Sequence, residues 1–191
     1  MSLNHPSPSR SPEYALLGFL YTKPCYGYEL YQELSNELGH IWHSSLSQTY
    51  NILKRLESKG YVKTVRREQK KLPARQVVTL TAAGLRRFND WLETPSGSSV
   101  RAVRVEFLTR LYFIQHLHPD RIPTTIDAQI AEIQSSLTRL QAALADTPAL
   151  KTFNHLGLEL RIRQLQSIID WLHECQAELI APTRHNGDKK R

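Results

Sequence analysis

Hydrophobic residues recur with helical spacing in three segments near the start of the chain. Residues 13–21 are almost continuously apolar and end just before Pro24, because the residue that precedes a proline resists the helical conformation. Residues 27–38 carry leucines at every fourth position beside glutamates, and residues 46–59 carry a second apolar stripe. The pattern therefore predicts three consecutive helices.

The third of these segments has two different faces. Its apolar stripe consists of Leu46, Tyr50, Leu53 and Leu56, and we expect Tyr50 to pack in the core. A turn of about 100° per residue collects polar and basic side chains on the opposite face. They are Ser47, Gln48, Asn51, Lys54, Arg55 and Ser58. This face is either a binding surface or merely solvated.

Two runs rich in β-branched and basic residues follow, at 61–67 and 75–80. Residues 68–74 join them and include Pro73, so the pattern predicts a hairpin with a charged tip. Thr81 is suited to cap a further helix that extends to Glu93. Residues 94–99, which contain Pro95 and Gly97, form the best domain boundary in the chain.

The second half of the chain is typical of long helices, at 101–117, 124–145 and 150–180. The last two helices carry apolar seams with alternating steps of four and three, which must pair with each other, with a second copy of the chain, or with both. We assign dimerisation to Ile126, Ile130, Ile133, Leu137, Leu158, Ile162, Leu165, Ile169 and Leu172.

These patterns predict a mainly α chain with one small β-hairpin. We expect a disordered arm at 1–12, a first domain at 13–93, a linker at 94–99, a helical domain at 100–181 and a disordered tail at 182–191.

The charge of the chain is concentrated in one segment. Nine basic residues lie between Lys54 and Arg75 against Glu57 and Glu68, so this stretch carries an excess equal to the whole net charge of +7. A dense cationic patch on a small domain most often meets nucleic-acid phosphate, although an anionic membrane surface or a solvated loop are alternatives.

Several other classes of protein have little support. No apolar run approaches the roughly 18 residues that a membrane span needs, and the start of the chain has no secretory core, so we expect a cytoplasmic protein. The only two cysteines, Cys25 and Cys175, are far apart. Neither histidine pair, at 40 and 43 or at 116 and 118, has further ligands at zinc spacing. The chain lacks motifs for catalysis, so we predict no enzyme, no metal and no cofactor.

Three helices followed by a hairpin is the order of a winged helix-turn-helix domain, in which the third helix enters the DNA major groove. Amide side chains such as Gln48 and Asn51 can pair with adenine, and Arg55 can pair with guanine. We therefore predict a recognition set of Ser47, Gln48, Asn51, Lys54 and Arg55. The predicted contacts to the DNA backbone are Tyr28, Arg66, Arg67, Lys70, Lys71 and Arg75.

The same residues resemble a known family. Tyr26-Gly27-Tyr28-Glu29-Leu30, Ser47-Gln48-Thr49-Tyr50 and Leu80-Thr81-x-x-Gly84 are similar to motifs of the PadR transcriptional regulators. The resemblance spans residues 13–91. It implies a DNA-binding domain followed by a helical dimerisation domain, here like that of the group related to virulence-gene activators.

The resemblance also implies a repressor or an activator that responds to a small aromatic compound, and we expect a repressor. Trp42, Trp91 and Trp171 are candidates for an effector pocket, or they fill the core. We thus predict a homodimer that binds double-stranded DNA at an inverted repeat. The alternative is a winged-helix adaptor that binds an acidic protein.

Overall fold

The elements of the chain follow the predicted order closely. A computed structural model describes residues 12–69, 72–147 and 152–180, with side chains at 66–69, 72–75 and 180 excepted. The first elements are α1 (Glu13–Thr22), β1 (Cys25–Tyr26), α2 (Gly27–Leu38), α3 (Leu46–Ser58), β2 (Val62–Gln69), β3 (Leu72–Leu80) and α4 (Ala82–Glu93). A π-helical segment (Ala102–Phe107) then continues into α5 (Leu108–Leu117), followed by a 3₁₀ turn (Pro119–Arg121), α6 (Ile122–Ala145) and α7 (Thr152–Ile180).

Local signals fix several helix ends. Ser45 caps α3 by accepting a hydrogen bond from the Gln48 backbone N–H at 3.2 Å, and Thr81 caps α4 in the same way through Gly84 at 3.1 Å. Gly60 follows α3 with φ 73°, a left-handed conformation that favours glycine. The mainly α fold with a small sheet is therefore confirmed.

The sheet contains a strand that the sequence pattern did not predict. Its order is β1-β3-β2, all antiparallel, with Cys25 opposite Val78 and Val65 opposite Val77. A strand of only two residues has no periodicity of its own, and its pairing with β3 is non-local. The wing strands also extend further than predicted, because residues expected in the connection pair across the hairpin, as Gln69 does with Leu72.

The described chain forms two compact units, and their limits differ from the predicted domains. The first unit contains the described residues up to Gly97 together with Arg101–Phe113, and the second contains 98–100 and the described residues from Ile114 onward. The predicted boundaries of 94–99 for the linker and 100–181 for the helical domain are thus corrected. Most of α5 and the segment before it pack with the first unit.

Phe113 explains this displacement of the boundary. Its ring is 1% exposed and makes edge contacts with Phe19 and Phe88, each at 5.4 Å between ring centroids. The ring also occupies the space beside Gly18, where an added Cβ would lie 2.3 Å from the Phe113 ring. A spacing pattern cannot reveal which half of the chain such a ring joins.

The second unit is built on a helical hairpin of α6 and α7. Gln176 of α7 donates a hydrogen bond from Nε2 to Asp127 Oδ1 of α6 at 2.9 Å. Pro123 lies in the first turn of α6 rather than before it, a position that its missing N–H allows. The helix therefore begins at Ile122, two residues earlier than predicted.

The predicted dimerisation residues are largely covered within one chain. The two seams face each other in the α6–α7 hairpin, so the assignment of these side chains to an interface between copies is corrected for the buried ones. The buried seam residues are Ile126, Ile130, Ile133, Leu137, Leu165, Ile169 and Leu172. Leu158 and Ile162 are half-buried.

One face of α7 remains apolar and exposed. Phe153 is 89% exposed, Leu156 52% and Leu160 57%. Their spacing of three and four puts them on one side of the first turns of α7. This patch, which we call the α7 apolar face, lies outside the predicted seams.

A helix that crosses a bilayer must be both long and apolar. Within residues 12–69, 72–147 and 152–180, no helix combines the length and the apolar character that a membrane crossing requires.

Candidate nucleic-acid interface

The beginning of α3 is held by a reciprocal pair of hydrogen bonds. The Ser45 side chain accepts from the Gln48 backbone, and Gln48 Oε1 accepts from the Ser45 backbone N–H at 2.8 Å. This capping box satisfies two backbone donors that a helix start leaves unpaired. Gln48 was predicted to pair with adenine, and in this structure its carbonyl oxygen supports the start of the helix.

The predicted polar face of α3 is exposed along its length. Ser47, Gln48, Asn51, Lys54 and Arg55 are all exposed. The buried side consists of Thr49, Ile52, Leu53 and Leu56. The location of the recognition set on one accessible face therefore agrees with the spacing argument, while the DNA contacts of each member stay a prediction.

Tyr50 does not pack in the core, and that prediction is wrong. Its side chain is 49% exposed, because the buried side of α3 centres on Leu56 and includes Thr49 and Ile52. The ring lies over Gly27 at the start of α2, where an added Cβ would be 2.6 Å from Tyr50 Cε1. Tyr50 thus lies at the margin of the polar face.

A groove of about 1070 Å³ runs beside this margin, between α2, α3 and the wing strands. Tyr28 and Tyr50 line the groove, and the side chains of both are half exposed. Asn51 and Lys54 of α3 line it as well. Tyr28, predicted to contact the DNA backbone, is therefore accessible next to α3. Gln76 of β3 also lines the groove.

The wing is fixed to α3 by a contact that the sequence did not indicate. Glu57 Oε1 accepts a hydrogen bond from the Thr64 backbone N–H at 2.9 Å, so β2 is tied to the last turns of α3. On the strands, Arg67 pairs in register with Arg75, and Arg66 precedes it. The predicted wing contacts Lys70 and Lys71 lie outside the described residues.

Arg55 is engaged by a carboxylate from the beginning of the chain. Its Nη2 lies 2.9 Å from Glu13 Oε2, while Glu13 Oε1 lies 3.1 Å from Nη2 of Arg87 on α4. The Arg87 guanidinium stands over the rings of Tyr14 and Tyr61, at 5.1 and 4.8 Å from their centroids. Arg55 was predicted to pair with guanine, and in this structure it pairs with Glu13.

The charge on Arg87 is favoured by these neighbours. Burial by itself lowers the pKa of an arginine, but Tyr14, the hydrogen bond to Glu13 and Tyr61 outweigh it, and the pKa of Arg87 is raised. Burial also raises the pKa of Tyr14. Arg87 therefore stays cationic at neutral pH.

A second cavity, of about 620 Å³, lies in the first unit beside α1, α4 and the π-helical segment. Its walls include Tyr14, Tyr61, Trp91, Arg87 and Arg110. The ring of Trp91 stacks on Tyr14 with centroids 4.7 Å apart, and the Arg110 guanidinium stands 4.8 Å from the Trp91 ring. We call this space the Trp91 cavity.

Arg110 is the most deeply buried cation of this cavity. It is 3% exposed, and its Nε donates to the Trp91 carbonyl at 3.0 Å while Nη1 donates to Ser96 Oγ. Burial lowers the pKa of Arg110 to about 10, which still leaves it charged at neutral pH. The cavity thus keeps a positive charge against an aromatic wall.

Trp42 and Trp91, two of the three tryptophans predicted as candidates for an effector pocket, have different surroundings in the first unit. Trp91 is 6% exposed and lines the Trp91 cavity, whereas Trp42 donates from Nε1 to Thr109 Oγ1 at 2.8 Å. Trp171 belongs to the second unit. Among the described residues, no group of three or more His, Cys, Asp or Glu side chains could hold a metal ion.

Comparison with known families agrees with this arrangement of elements. Residues 16–90 match the transcriptional regulator PadR-like family, and residues 103–179 match the carboxy-terminal domain of the virulence activator alpha family. The chain belongs to the PadR family of transcriptional regulators. This family consists of regulators rather than enzymes.

Among individual proteins, the chain is 29% identical over 176 residues to the negative transcriptional regulator PadR of Bacillus subtilis strain 168, covering 86% of this chain and 95% of that one. A crystal structure of Bacillus subtilis PadR with operator DNA is 25% identical, with a TM-score of 0.42 and coverage of 87% and 98%. A structure of the same protein with p-coumaric acid is also 25% identical, with a TM-score of 0.39 and coverage of 91% and 98%.

Proposed function

We propose that this protein is a sequence-specific DNA-binding repressor that binds an inverted-repeat operator as a homodimer. The observation that carries the proposal is the exposed polar face of α3, which the described chain leaves uncovered beside a wing of basic sequence. A surface of amide, hydroxyl and cationic groups on a helix fits the donor and acceptor edges of the major groove. Work on chromosomal DNA requires a cytoplasmic location.

Asn51 is the residue to which we assign direct base reading. It lies near the centre of the exposed face and lines the groove, and its amide can both donate to and accept from adenine. Gln48 keeps only its Nε2 outside the capping box. Lys54 and the basic wing residues hold phosphates and so position the domain without reading sequence.

We assign repression, rather than activation, as the effect of this regulator on transcription. The Bacillus subtilis relative is a negative transcriptional regulator, and the match covers 95% of that protein. A dimer bound across an operator blocks other proteins from the same stretch of duplex, so repression needs no further contact.

Asn51→Ala should weaken binding to the preferred operator by about 1–3 kcal/mol and change binding to random duplex little. The reason is that an amide pair with a base is worth this much only where the matching base is present. The measurement is a titration of labelled operator, obtained by selecting bound genomic fragments, against a random duplex of equal length.

Lys63→Ala is the matched control, because Lys63 is an exposed cation of β2 that we assign to phosphate. It should weaken both duplexes alike. If Asn51→Ala lowers the affinity for both duplexes equally, then the face of α3 that we assign to base reading is the wrong one. If the wild-type protein does not bind random duplex at low salt, the result favours the alternative of a winged-helix adaptor.

The homodimer is assigned to the α7 apolar face. Contiguous exposed apolar surface on a protein of this size marks an interaction site. A second copy is the occupant that we choose, because an operator with two half-sites requires two recognition helices. The seam residues are largely covered by their own chain, so this face is the apolar surface that α7 leaves for a partner.

The Trp91 cavity is assigned to a small aromatic effector. Trp91 Nε1 and Arg87 Nε are buried without a hydrogen-bond partner among the described residues, and both side chains line this cavity. Buried donors of this kind are rarely left unpaired. A planar ring bearing an acceptor oxygen would stack on the aromatic wall and satisfy these donors.

Trp91→Phe should weaken the binding of such a compound by roughly 3- to 10-fold, which corresponds to one hydrogen bond of about 0.5–1.5 kcal/mol. Calorimetric titration with benzoate, 4-hydroxybenzoate and phenol measures this effect. Trp42→Phe is the control, since it removes an indole N–H that is bonded to Thr109 instead. An affinity equal for both variants, or no binding of any probe to wild type, would contradict the assignment.

A further inference from the structure

One carboxylate in the first unit joins the recognition helix to the Trp91 cavity. Glu13 lies in the first turn of α1, and its side chain is 13% exposed. One of its oxygens contacts Arg55 of α3 at 2.9 Å, and the other contacts Arg87 of α4 at 3.1 Å. Glu13 is 42 positions from Arg55 and 74 positions from Arg87 in the sequence, so only the fold brings the three side chains together.

The two arginines differ in what surrounds them. Arg55 is 45% exposed on the flank of the α3 polar face, where DNA would approach. Arg87 is 30% exposed and lines the Trp91 cavity between Tyr14 and Tyr61. Glu13 therefore shares a single negative charge between a cation that faces the proposed DNA surface and a cation that faces the proposed effector site.

We infer that Glu13 competes with DNA for Arg55, and that Arg87 sets how strongly it competes. This inference rests on the proposed function and assigns Glu13 as a positioning residue of that site. To contact a phosphate or a base, Arg55 must leave a carboxylate that lies at hydrogen-bonding distance. The negative charge of Glu13 also repels the phosphates that approach α3.

Arg87 moderates this competition because it draws part of the charge of Glu13 toward α4. An acceptor that occupies the Trp91 cavity and binds Arg87 weakens the Arg87–Glu13 contact. Glu13 then holds Arg55 more tightly, and the affinity for DNA falls. The inference thus gives a physical route, through three described side chains, by which the cavity lowers the affinity of the recognition helix for its target.

The experiment is a set of double-mutant cycles on the full-length protein. Glu13→Gln keeps the size of the side chain and removes its charge, and it should tighten binding to a labelled operator duplex by about 2- to 5-fold, as expected for a partly exposed ion pair. In an Arg55→Gln background, Glu13→Gln should change the affinity little. Glu33→Gln is the control, since it removes a carboxylate that pairs with Lys23 elsewhere in the first unit.

A second cycle tests the part played by Arg87. Arg87→Gln should weaken operator binding about 2- to 5-fold when Glu13 is present, and should have little effect when Glu13 is replaced by Gln. A purely structural role for Arg87 would lower affinity equally in both backgrounds. The cycle therefore separates charge sharing from general damage to the fold.

The outcomes are distinct. Tighter binding by Glu13→Gln that depends on Arg55 supports the inference. An unchanged affinity, or the same gain without Arg55, overturns it. If Glu13→Gln does not fold, as judged by thermal unfolding, Glu13→Asp pulls the carboxylate back from both arginines and carries the same comparison. Wild-type protein that binds no duplex refutes the proposed function itself, which is a different result.

Discussion

Binding to the operator should weaken by about 10³- to 10⁵-fold when the salt concentration rises from roughly 50 to 200 mM. The reason is the concentration of basic residues between Lys54 and Arg75, which carry the entire net charge of the protein. If two recognition helices and two wings neutralise roughly 6 to 10 phosphates, binding releases that many counterions. Fluorescence anisotropy of a labelled duplex over a series of salt concentrations gives the slope directly.

The slope also tests single residues. Lys63→Ala should reduce the slope of log affinity against log salt by about 0.9 for each phosphate contact removed, and by twice that if both protomers contribute. Asn51→Ala should leave the slope unchanged, because Asn51 is neutral. An affinity that barely varies over this range would mean that the cationic segment does not contact DNA.

Charge placed on the α7 apolar face should dissociate the dimer. Leu156→Lys combined with Leu160→Lys removes four leucines from a two-fold interface, and each buried leucine contributes about 1.5–3 kcal/mol. We expect the dissociation constant of the dimer to rise by about 10³-fold or more. Sedimentation equilibrium of the full chain measures it, and operator affinity should fall in parallel.

Asn154→Lys serves as the control for this variant. Asn154 is exposed near the start of α7 but lies away from the apolar face, so its substitution should leave the dimer intact. A double lysine variant that remains dimeric at the same concentration would assign the interface to another surface. Circular dichroism shows whether the α6–α7 hairpin is still folded.

Local chemistry made most of the fold predictable. The ends of α3 and α4 follow from Ser45, Gly60 and Thr81, which act on residues only a few positions away. The strand β1 could not be predicted, because its pairing with β3 joins residues about fifty positions apart. The wing strands were also set too short, since a run of charged residues gives no apolar alternation.

The sequence predicted which residues share the polar face of α3, but it did not predict the ion pairs between that face and other helices. Spacing alone placed Asn51 and Lys54 together, whereas the assignment of Tyr50 to the core failed because its position lies at the edge of the apolar stripe. The contacts of Glu13 with Arg55 and Arg87 had no signal in the sequence. Such links depend on the packing of α1 between α3 and α4, which no periodicity describes.

The helical seams were predictable as a pair of complementary stripes. Their steps of four and three required a partner, and both intrachain and interchain pairing satisfied that requirement. The structure resolves the choice for residues such as Ile133 and Leu172, which are fully buried within one chain. The α7 apolar face was missed because Phe153, Leu156 and Leu160 fall outside the regular seam.

The contact between Gly18 and Phe113 constrains how this regulator can evolve. Because the ring fills the space that a side chain at position 18 would occupy, any residue larger than glycine there requires Phe113 to move or to be replaced by a smaller residue. A hybrid that joins the DNA-binding half of this chain to the helices of a relative keeps this contact only if it carries both members of the pair. A junction placed beyond residue 113 keeps them together.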